Sequence, residues 1–141
     1  MLNSDLTSVY FRSDGGHMRL SEIIKWQWEG YSKAHQSRAN LFIHIILVPL
    51  FIISFLSLLL SIFRFDLISI VSSFFIMMMS FGLQGIGHSK EINPAEPFTS
   101  IKNAVLRIFL EQFYTFPKFV ITGAWYRTLR GQSSSQTRKS D

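Results

Sequence analysis

The sequence predicts an all-α integral membrane protein: a helical hairpin with flanking amphipathic interfacial helices. Three observations carry this prediction, namely two long uncharged apolar runs, a three-residue connection between them, and a low content of charged residues. Charged side chains make up 16% of the 141 residues and hydrophobic side chains 48%, whereas a typical soluble domain is about 25% charged. Because the composition is this apolar, disorder is excluded over most of the chain.

Each apolar run is long enough to cross a bilayer. The predicted membrane segments are residues 41–63 and 67–88, and neither contains a Lys, Arg, Asp or Glu. A helix needs about 20 apolar residues to span a hydrocarbon core of about 30 Å. Because residues 64–66 alone connect the runs, the two helices are expected to be antiparallel neighbours. A buried hairpin inside a soluble protein is the alternative, although little chain remains to cover it.

Amphipathic segments flank the hairpin on both sides. Residues 19–35 are predicted to form one helix, because apolar and aromatic side chains recur there at three- and four-residue steps. Residues 101–129 alternate apolar clusters with a stripe of polar side chains, and Pro117 is expected to break or kink them. The polar stripe consists of Asn103, Arg107, Glu111 and Lys118. This segment is expected to lie on the membrane or pack on the hairpin, and a third crossing stays open as an alternative.

The chain is expected to hold a single helical membrane domain at residues 19–130. Residues 1–18 are predicted to be a flexible arm, and residues 131–141 a disordered polar tail. Lys and Arg residues flank the outer ends of both apolar runs, whereas the connecting turn carries Arg64 alone. The positive-inside rule therefore places both termini in the cytoplasm.

Composition also excludes several kinds of chemistry and partner. The chain has no Cys, which rules out a disulfide scaffold, a thiol nucleophile, a zinc–thiolate site and an iron–sulfur cluster. The net charge of +5 would suit an anionic membrane surface or a nucleic acid. Because the basic residues are scattered rather than clustered, a nucleic-acid partner is not expected.

Two histidines are predicted to lie at the same depth of the hairpin. His44 precedes the turn residue Arg64 by 20 positions, and His88 follows Asp66 by 22 positions. At about 1.5 Å rise per residue the two arms measure roughly 30 and 33 Å. His44 and His88 should therefore meet near the cytoplasmic end. His35 joins them if the preceding amphipathic helix folds back along the interface.

The predicted cluster has the composition of a metal site. Imidazole is the commonest metal ligand among side chains and suits Fe, Zn, Cu or Ni. The candidate metal ligands are His35, His44, His88 and Glu91. The three histidines are also the candidate catalytic residues. Asn40 and Gln84 are candidate hydrogen-bond partners of the ligands. Three histidines without a metal, hydrogen-bonded at the interface, are the alternative.

The same residues resemble the signatures of a known membrane family. One group comprises Tyr31, His35, Asn40, His44 and Pro49-Leu50, and the other comprises residues 84–88 with Glu91 and Pro94-Ala95. In this order around two apolar segments, they are similar to the 2-hydroxy fatty acid dioxygenase family. That family has a characterised fungal member of the endoplasmic reticulum and many bacterial members, so a bacterial inner membrane is the other expected location.

The resemblance implies an Fe²⁺-dependent dioxygenase that shortens a 2-hydroxy fatty acid by one carbon. His35, His44 and His88 would be the iron ligands, and the expected partners are the lipid bilayer and a fatty acyl substrate. Zn²⁺ remains open as the metal. Two other functions stay open: a non-enzymatic membrane scaffold or assembly protein, and a haem-binding protein that ligates haem between His44 and His88 across the hairpin.

Overall fold

A computed structural model describes residues 19–93 and 95–137, with side chains through residue 131. This part of the chain contains six α-helices, one π-helix and no strand, which confirms the all-α prediction. The helices are α1 (Leu20–Tyr31), α2 (Arg38–Phe63), α3 (Leu67–His88), α4 (Ile101–Leu110), the π-helix (Glu111–Thr115), α5 (Phe116–Ile121) and α6 (Ala124–Thr137). The predicted arm at residues 1–18 lies outside the described residues.

Helices α2 and α3 form the predicted antiparallel hairpin. Its turn passes through Phe65, whose backbone is left-handed with φ 54°. Asp66 then caps α3, because its carboxylate accepts from the Ser69 backbone N–H at 3.2 Å and from the Ser69 hydroxyl at 2.6 Å. Helix α2 begins at Arg38, three residues before the predicted apolar run, and α3 has the predicted bounds of 67–88.

Small polar side chains lie between the two long helices, and apolar side chains face outward. The Ser57 and Ser73 hydroxyls are 2.9 Å apart across the interface, a packing typical of membrane helices. Within the most apolar 18-residue stretch of each helix, only 22% of the stretch in α2 and 17% of the stretch in α3 is buried. The core helix of a soluble protein is mostly buried, so this low burial favours the membrane hairpin over the soluble alternative. Both helices are long and apolar enough to span a membrane.

The segment predicted at residues 101–129 is a helical stretch interrupted twice. Pro117 lies in the first turn of α5, directly after the π-helix. Because a proline lacks an N–H and crowds the carbonyl four residues earlier, the α-helical pattern cannot run through it. Instead the Phe116 N–H bonds to the Glu111 carbonyl. The second break is at Gly123, with φ 73°.

The apolar core lies at the end of the hairpin where the chain enters and leaves it. Its buried members are Tyr31, Leu41, Val48, Phe116 and Phe119. They bring α1, α2 and α5 together, and the indole N–H of Trp125 fixes α6 by donating to the Leu41 carbonyl at 3.1 Å. The flanking helices therefore cover one mouth of the hairpin.

Two predicted boundaries differ from the structure. The helix predicted for residues 19–35 ends at Tyr31, because residues 32–37 turn into α2 and place His35 in that link. Helix α6 continues to Thr137, so residues 131–137 of the predicted disordered tail have a helical backbone. Residues 138–141 lie outside the described part.

Candidate metal centre

Three histidine rings meet at the mouth of the hairpin, as the helix rise predicted. His35 comes from the link before α2, His44 from the second turn of α2, and His88 is the last residue of α3. The ring centroids are 4.8 Å apart for His35 and His44, 4.9 Å for His35 and His88, and 4.8 Å for His44 and His88. Residues 53 positions apart in the chain thus share one small volume.

Glu111, the first residue of the π-helix, completes the group. Its Oε1 atom lies 3.4 Å from His35 Nε2, 3.5 Å from His44 Nε2 and 3.6 Å from His88 Nε2. One ligand atom from each of the four residues falls within 4.8 Å of the others. Metal–ligand distances of about 2.0–2.2 Å place two ligands of one ion roughly 3.0–3.5 Å apart. The three distances from Glu111 lie near the upper end of this range, and ligand atoms up to 4.8 Å apart would draw closer around a common ion.

Backbone carbonyls orient two of the imidazoles toward the centre. His35 Nδ1 lies 3.0 Å from the Tyr31 carbonyl oxygen, and His44 Nδ1 lies 3.0 Å from the Asn40 carbonyl oxygen. A carbonyl only accepts, so each Nδ1 carries the proton and donates. In a neutral imidazole the Nε2 atom then keeps its lone pair. Both lone pairs point at Glu111, which is the arrangement that a metal ion requires.

Without an ion these nitrogens have no hydrogen-bond partner. His35 Nε2 and His44 Nε2 are buried and unpaired, and their side chains are 2% and 0% exposed. A buried polar group that makes no hydrogen bond costs about 1–3 kcal/mol. A cation at the centre would satisfy all of these groups at once.

The charge states of His35 and Glu111 suit metal binding. Burial lowers the pKa of His35, which favours the neutral ring that binds metal. Burial by itself would raise the pKa of Glu111, but its contacts with His35, His44 and His88 outweigh it and hold that pKa well below the usual range. The centre therefore offers a neutral His35 imidazole and a carboxylate.

Tyr31 fixes the carboxylate from the side of α1. Its phenol donates to Glu111 Oε1 at 3.0 Å, and its ring stacks on His35 with centroids 3.9 Å apart. Burial, and then the negative charge of Glu111, raise the pKa of Tyr31 well above its ordinary value. The phenol thus stays protonated as a donor. Tyr31 orients two candidate ligands without being one.

Glu91 is not among the four converging residues, which corrects its assignment as a metal ligand. Its Oε1 accepts from Asn40 Nδ2 at 2.7 Å, and its Oε2 accepts from the Gln36 backbone N–H at 2.9 Å. The assignment assumed that α3 continues past His88, but α3 ends there. The chain turns, and Glu91 faces the start of α2 while Glu111 occupies the fourth ligand position.

The side chains of Asn40 and Gln84 do not hydrogen-bond to a histidine. Asn40 supports His44 through its backbone carbonyl, while its side-chain amide donates to Glu91. The Gln84 amide pairs with Gln112 in both directions, at 2.7 and 3.3 Å. Because Gln112 follows Glu111, this buried pair ties the π-helix to α3. Gln84 therefore acts on the carboxylate side of the centre, not on an imidazole.

Glu111 was not predicted as a ligand, because its spacing places it in the polar stripe with Asn103, Arg107 and Lys118. Arg107 and Glu111 instead face the interior of the helical bundle. The Arg107 guanidinium donates to the Pro97 and Glu96 carbonyls. The available signal was an acidic residue in the apolar sequence 108–113, six positions before a proline that disturbs the helix. Irregular π-turns occur frequently at functional sites.

The centre opens on one side. The His88 and Glu111 side chains are 22% and 19% exposed, whereas those of His35 and His44 are almost fully covered. The side of His88 and Glu111 is therefore the least covered side of the centre. No family model, curated protein or solved structure shows significant similarity to this chain.

Proposed function

We propose that this chain is a membrane-embedded, Fe²⁺-dependent dioxygenase that acts on 2-hydroxy fatty acids. The observation that carries the proposal is the convergence of three imidazoles and one carboxylate on a common point, with two buried ring nitrogens unpaired. Histidine and carboxylate together are the donor set of non-haem iron oxygenases. His35, His44, His88 and Glu111 would hold the ion.

The donor set leaves room for substrates. Four protein ligands leave two positions of a six-coordinate ion open, one for a substrate oxygen and one for dioxygen. Iron in this site would supply the redox chemistry that activates dioxygen. The overall reaction converts one 2-hydroxy acid and one O₂ into the acid shorter by one carbon, one CO₂ and one H₂O. The bond between C1 and C2 breaks, the substrate is oxidised and dioxygen is reduced.

The surroundings of the open side suit a fatty acid. His88 ends an apolar helix whose residues Leu83 and Ile86 are 40% and 54% exposed. In a hairpin that spans a membrane, the site would lie at the interface and those side chains would lie in the hydrocarbon. An acyl tail would remain in the lipid while its hydroxy-acid head reaches the ion. The chain's own residues thus select an amphiphile that is already dissolved in the bilayer.

The spacing of the rings speaks against haem. His44 and His88 have ring centroids 4.8 Å apart, and His35 and Glu111 fill the space beside them. A porphyrin between His44 and His88 would have to displace both. A structural zinc is the more specific alternative, because four ligands also complete a tetrahedral site. With a structural zinc, the protein would be a non-enzymatic scaffold that the metal holds together.

Metal content of purified variants tests the centre. Detergent-purified protein, loaded anaerobically with Fe²⁺, should hold about one iron per chain. His44→Ala removes a ligand with no exposed surface and should lose the iron. His17→Ala is the matched control, because His17 is the one histidine of the sequence outside the candidate ligand set, and this variant should bind iron like the wild type. Iron retained in His44→Ala would contradict the proposed ligand set.

Turnover separates an oxygenase from a structural metal site. Iron-loaded protein should convert 2-hydroxypalmitate under ¹⁸O₂ into labelled pentadecanoic acid, measured by mass spectrometry. The His44→Ala protein should give none above the protein-free control. A wild type that binds zinc in preference to iron and gives no labelled acid would overturn the dioxygenase and favour the scaffold.

A further inference from the structure

We propose that Glu91 is a positioning residue whose carboxylate holds His35 and His44 in place and whose backbone ties His88 to them. This inference rests on the proposed metal centre and deepens it. The relevant geometry is a clasp, defined here as Glu91 together with Gln36, Ser37 and Asn40. It connects the link before α2, the first turn of α2 and the end of α3, which are the segments that carry His35, His44 and His88.

The carboxylate binds the chain directly after His35. Glu91 Oε2 accepts from the Gln36 N–H and from the Ser37 N–H, both at 2.9 Å, and Oε1 lies 3.1 Å from the same Ser37 nitrogen. Ser37 is the N-cap residue of α2, and its own side chain makes no capping bond. A negative charge at this point favours the helix N-terminus. The path of the link, and with it the position of His35, therefore depends on Glu91.

The same carboxylate acts on His44 through Asn40. Glu91 Oε1 accepts from Asn40 Nδ2 at 2.7 Å, the shortest contact of the clasp. Asn40 is fully buried, and its backbone carbonyl accepts from His44 Nδ1 at 3.0 Å. That bond sets the ring orientation and leaves Nε2 free for the metal. Glu91 thus fixes the residue that fixes His44.

His88 is tied to the clasp through the backbone. The Glu91 N–H donates to the His88 carbonyl at 3.1 Å, so the two residues close one turn at the end of α3. Both Glu91 oxygens are committed to donors on the α2 side. A carboxylate so engaged positions ligands and does not bind the ion. Residues that orient ligands in this way typically contribute 10–100-fold in metal affinity.

Cobalt titration of Glu91→Gln tests the clasp. Glutamine keeps the size of the side chain, but its NH₂ cannot accept from a backbone N–H and the charge is lost. We expect Co²⁺ to bind about 10–100-fold more weakly than to the wild type. The visible spectrum of the bound Co²⁺ should keep its band positions, because the four ligands remain. Glu91→Asp, which keeps the charge, should bind with intermediate affinity.

Two controls make the outcome specific. Glu29→Gln removes an exposed carboxylate whose Lys25 partner is 3.8 Å away, and its Co²⁺ affinity should equal that of the wild type. Circular dichroism checks that each variant is folded, and should Glu91→Gln unfold, the Glu91→Asp titration decides. Unchanged affinity in the folded variants would overturn the clasp alone, and shifted cobalt bands would make Glu91 a ligand. A wild type that binds no cobalt would overturn the metal centre itself.

Discussion

At the scale of single residues, Gly87 determines how closely the two long helices approach beside the metal centre. A Cβ atom at this position would collide with Oδ1 of Asn40 and would lie 3.2 Å from Cγ2 of Ile43. Asn40 is the residue that orients His44, and Gly87 directly precedes His88. The absence of one side chain therefore lets the imidazoles of His44 on α2 and His88 on α3 approach one another.

Gly87→Ala should separate the helices at this contact and weaken metal binding. We expect at least a tenfold loss of Co²⁺ affinity, because His88 would move relative to His44. Gly85→Ala is the matched control, since a Cβ there meets nothing within 4 Å. Alanine at that exposed helical position should leave the affinity unchanged and stabilise α3 by up to about 1 kcal/mol. Equal titration curves for both variants would contradict the proposed role of Gly87.

At the scale of elements, the π-helix is what turns Glu111 toward the histidines. Pro117 supplies no N–H, and the Phe116 N–H reaches back to the Glu111 carbonyl. Without this irregular turn, an α-helix through residues 111–115 would rotate Glu111 relative to α5. The buried amide pair of Gln84 and Gln112 holds the same turn against α3. The fourth ligand therefore depends on a local backbone irregularity.

Pro117→Ala should allow an ordinary α-helix and turn Glu111 away from the centre. We expect the three histidines to bind Co²⁺ more weakly, with one carboxylate ligand fewer by X-ray absorption. Pro97→Ala serves as the control, because Pro97 lies in the loop before α4 and contributes a carbonyl that alanine keeps. Should Pro117→Ala retain the carboxylate ligand, the π-helix would not be what places Glu111.

The two kinds of element differ in how far their sequence determines them. The hairpin is local: apolar runs, a short turn and a fixed rise per residue predict both the helices and the meeting of His44 with His88. The position of Glu111 depends on the register that Pro117 imposes, and a periodic pattern does not show it. The prediction that Glu91 is a metal ligand assumed a longer helix for a similar reason. The point at which α3 ends, His88, sets the direction of the Glu91 side chain, and the periodic pattern does not show it.

At the scale of the whole molecule, the hairpin turn carries two charged side chains, Arg64 and Asp66, and the described flanking segments carry most of the others. The hairpin turn carries Phe65, which is 91% exposed. The opposite mouth carries cations beside aromatic rings, such as Lys118 over Trp28 at 4.2 Å and Arg130 over Tyr126 at 5.2 Å. Aromatic and basic side chains suit a membrane–water interface, and its location on the cytoplasmic side stays a prediction.

The absence of cysteine from the chain makes this orientation simple to test. Single cysteines at Phe65 and at Arg127 should react differently with a membrane-impermeant maleimide added to intact cells. We expect labelling of Phe65→Cys from outside, and labelling of Arg127→Cys only after the membrane is permeabilised. Labelling of Arg127→Cys in intact cells would place the metal centre on the opposite side.

The unpaired nitrogens of His35 and His44 have a consequence for how the protein matures. A newly made chain that closes its mouth without an ion leaves both atoms dry and unsatisfied. An ion taken up there would cross-link the link before α2, the two long helices and the π-helix, so that loading becomes the last step of assembly. The lifetime of the protein in a cell would then follow the supply of its metal, with metal-free chains exposed to proteolysis.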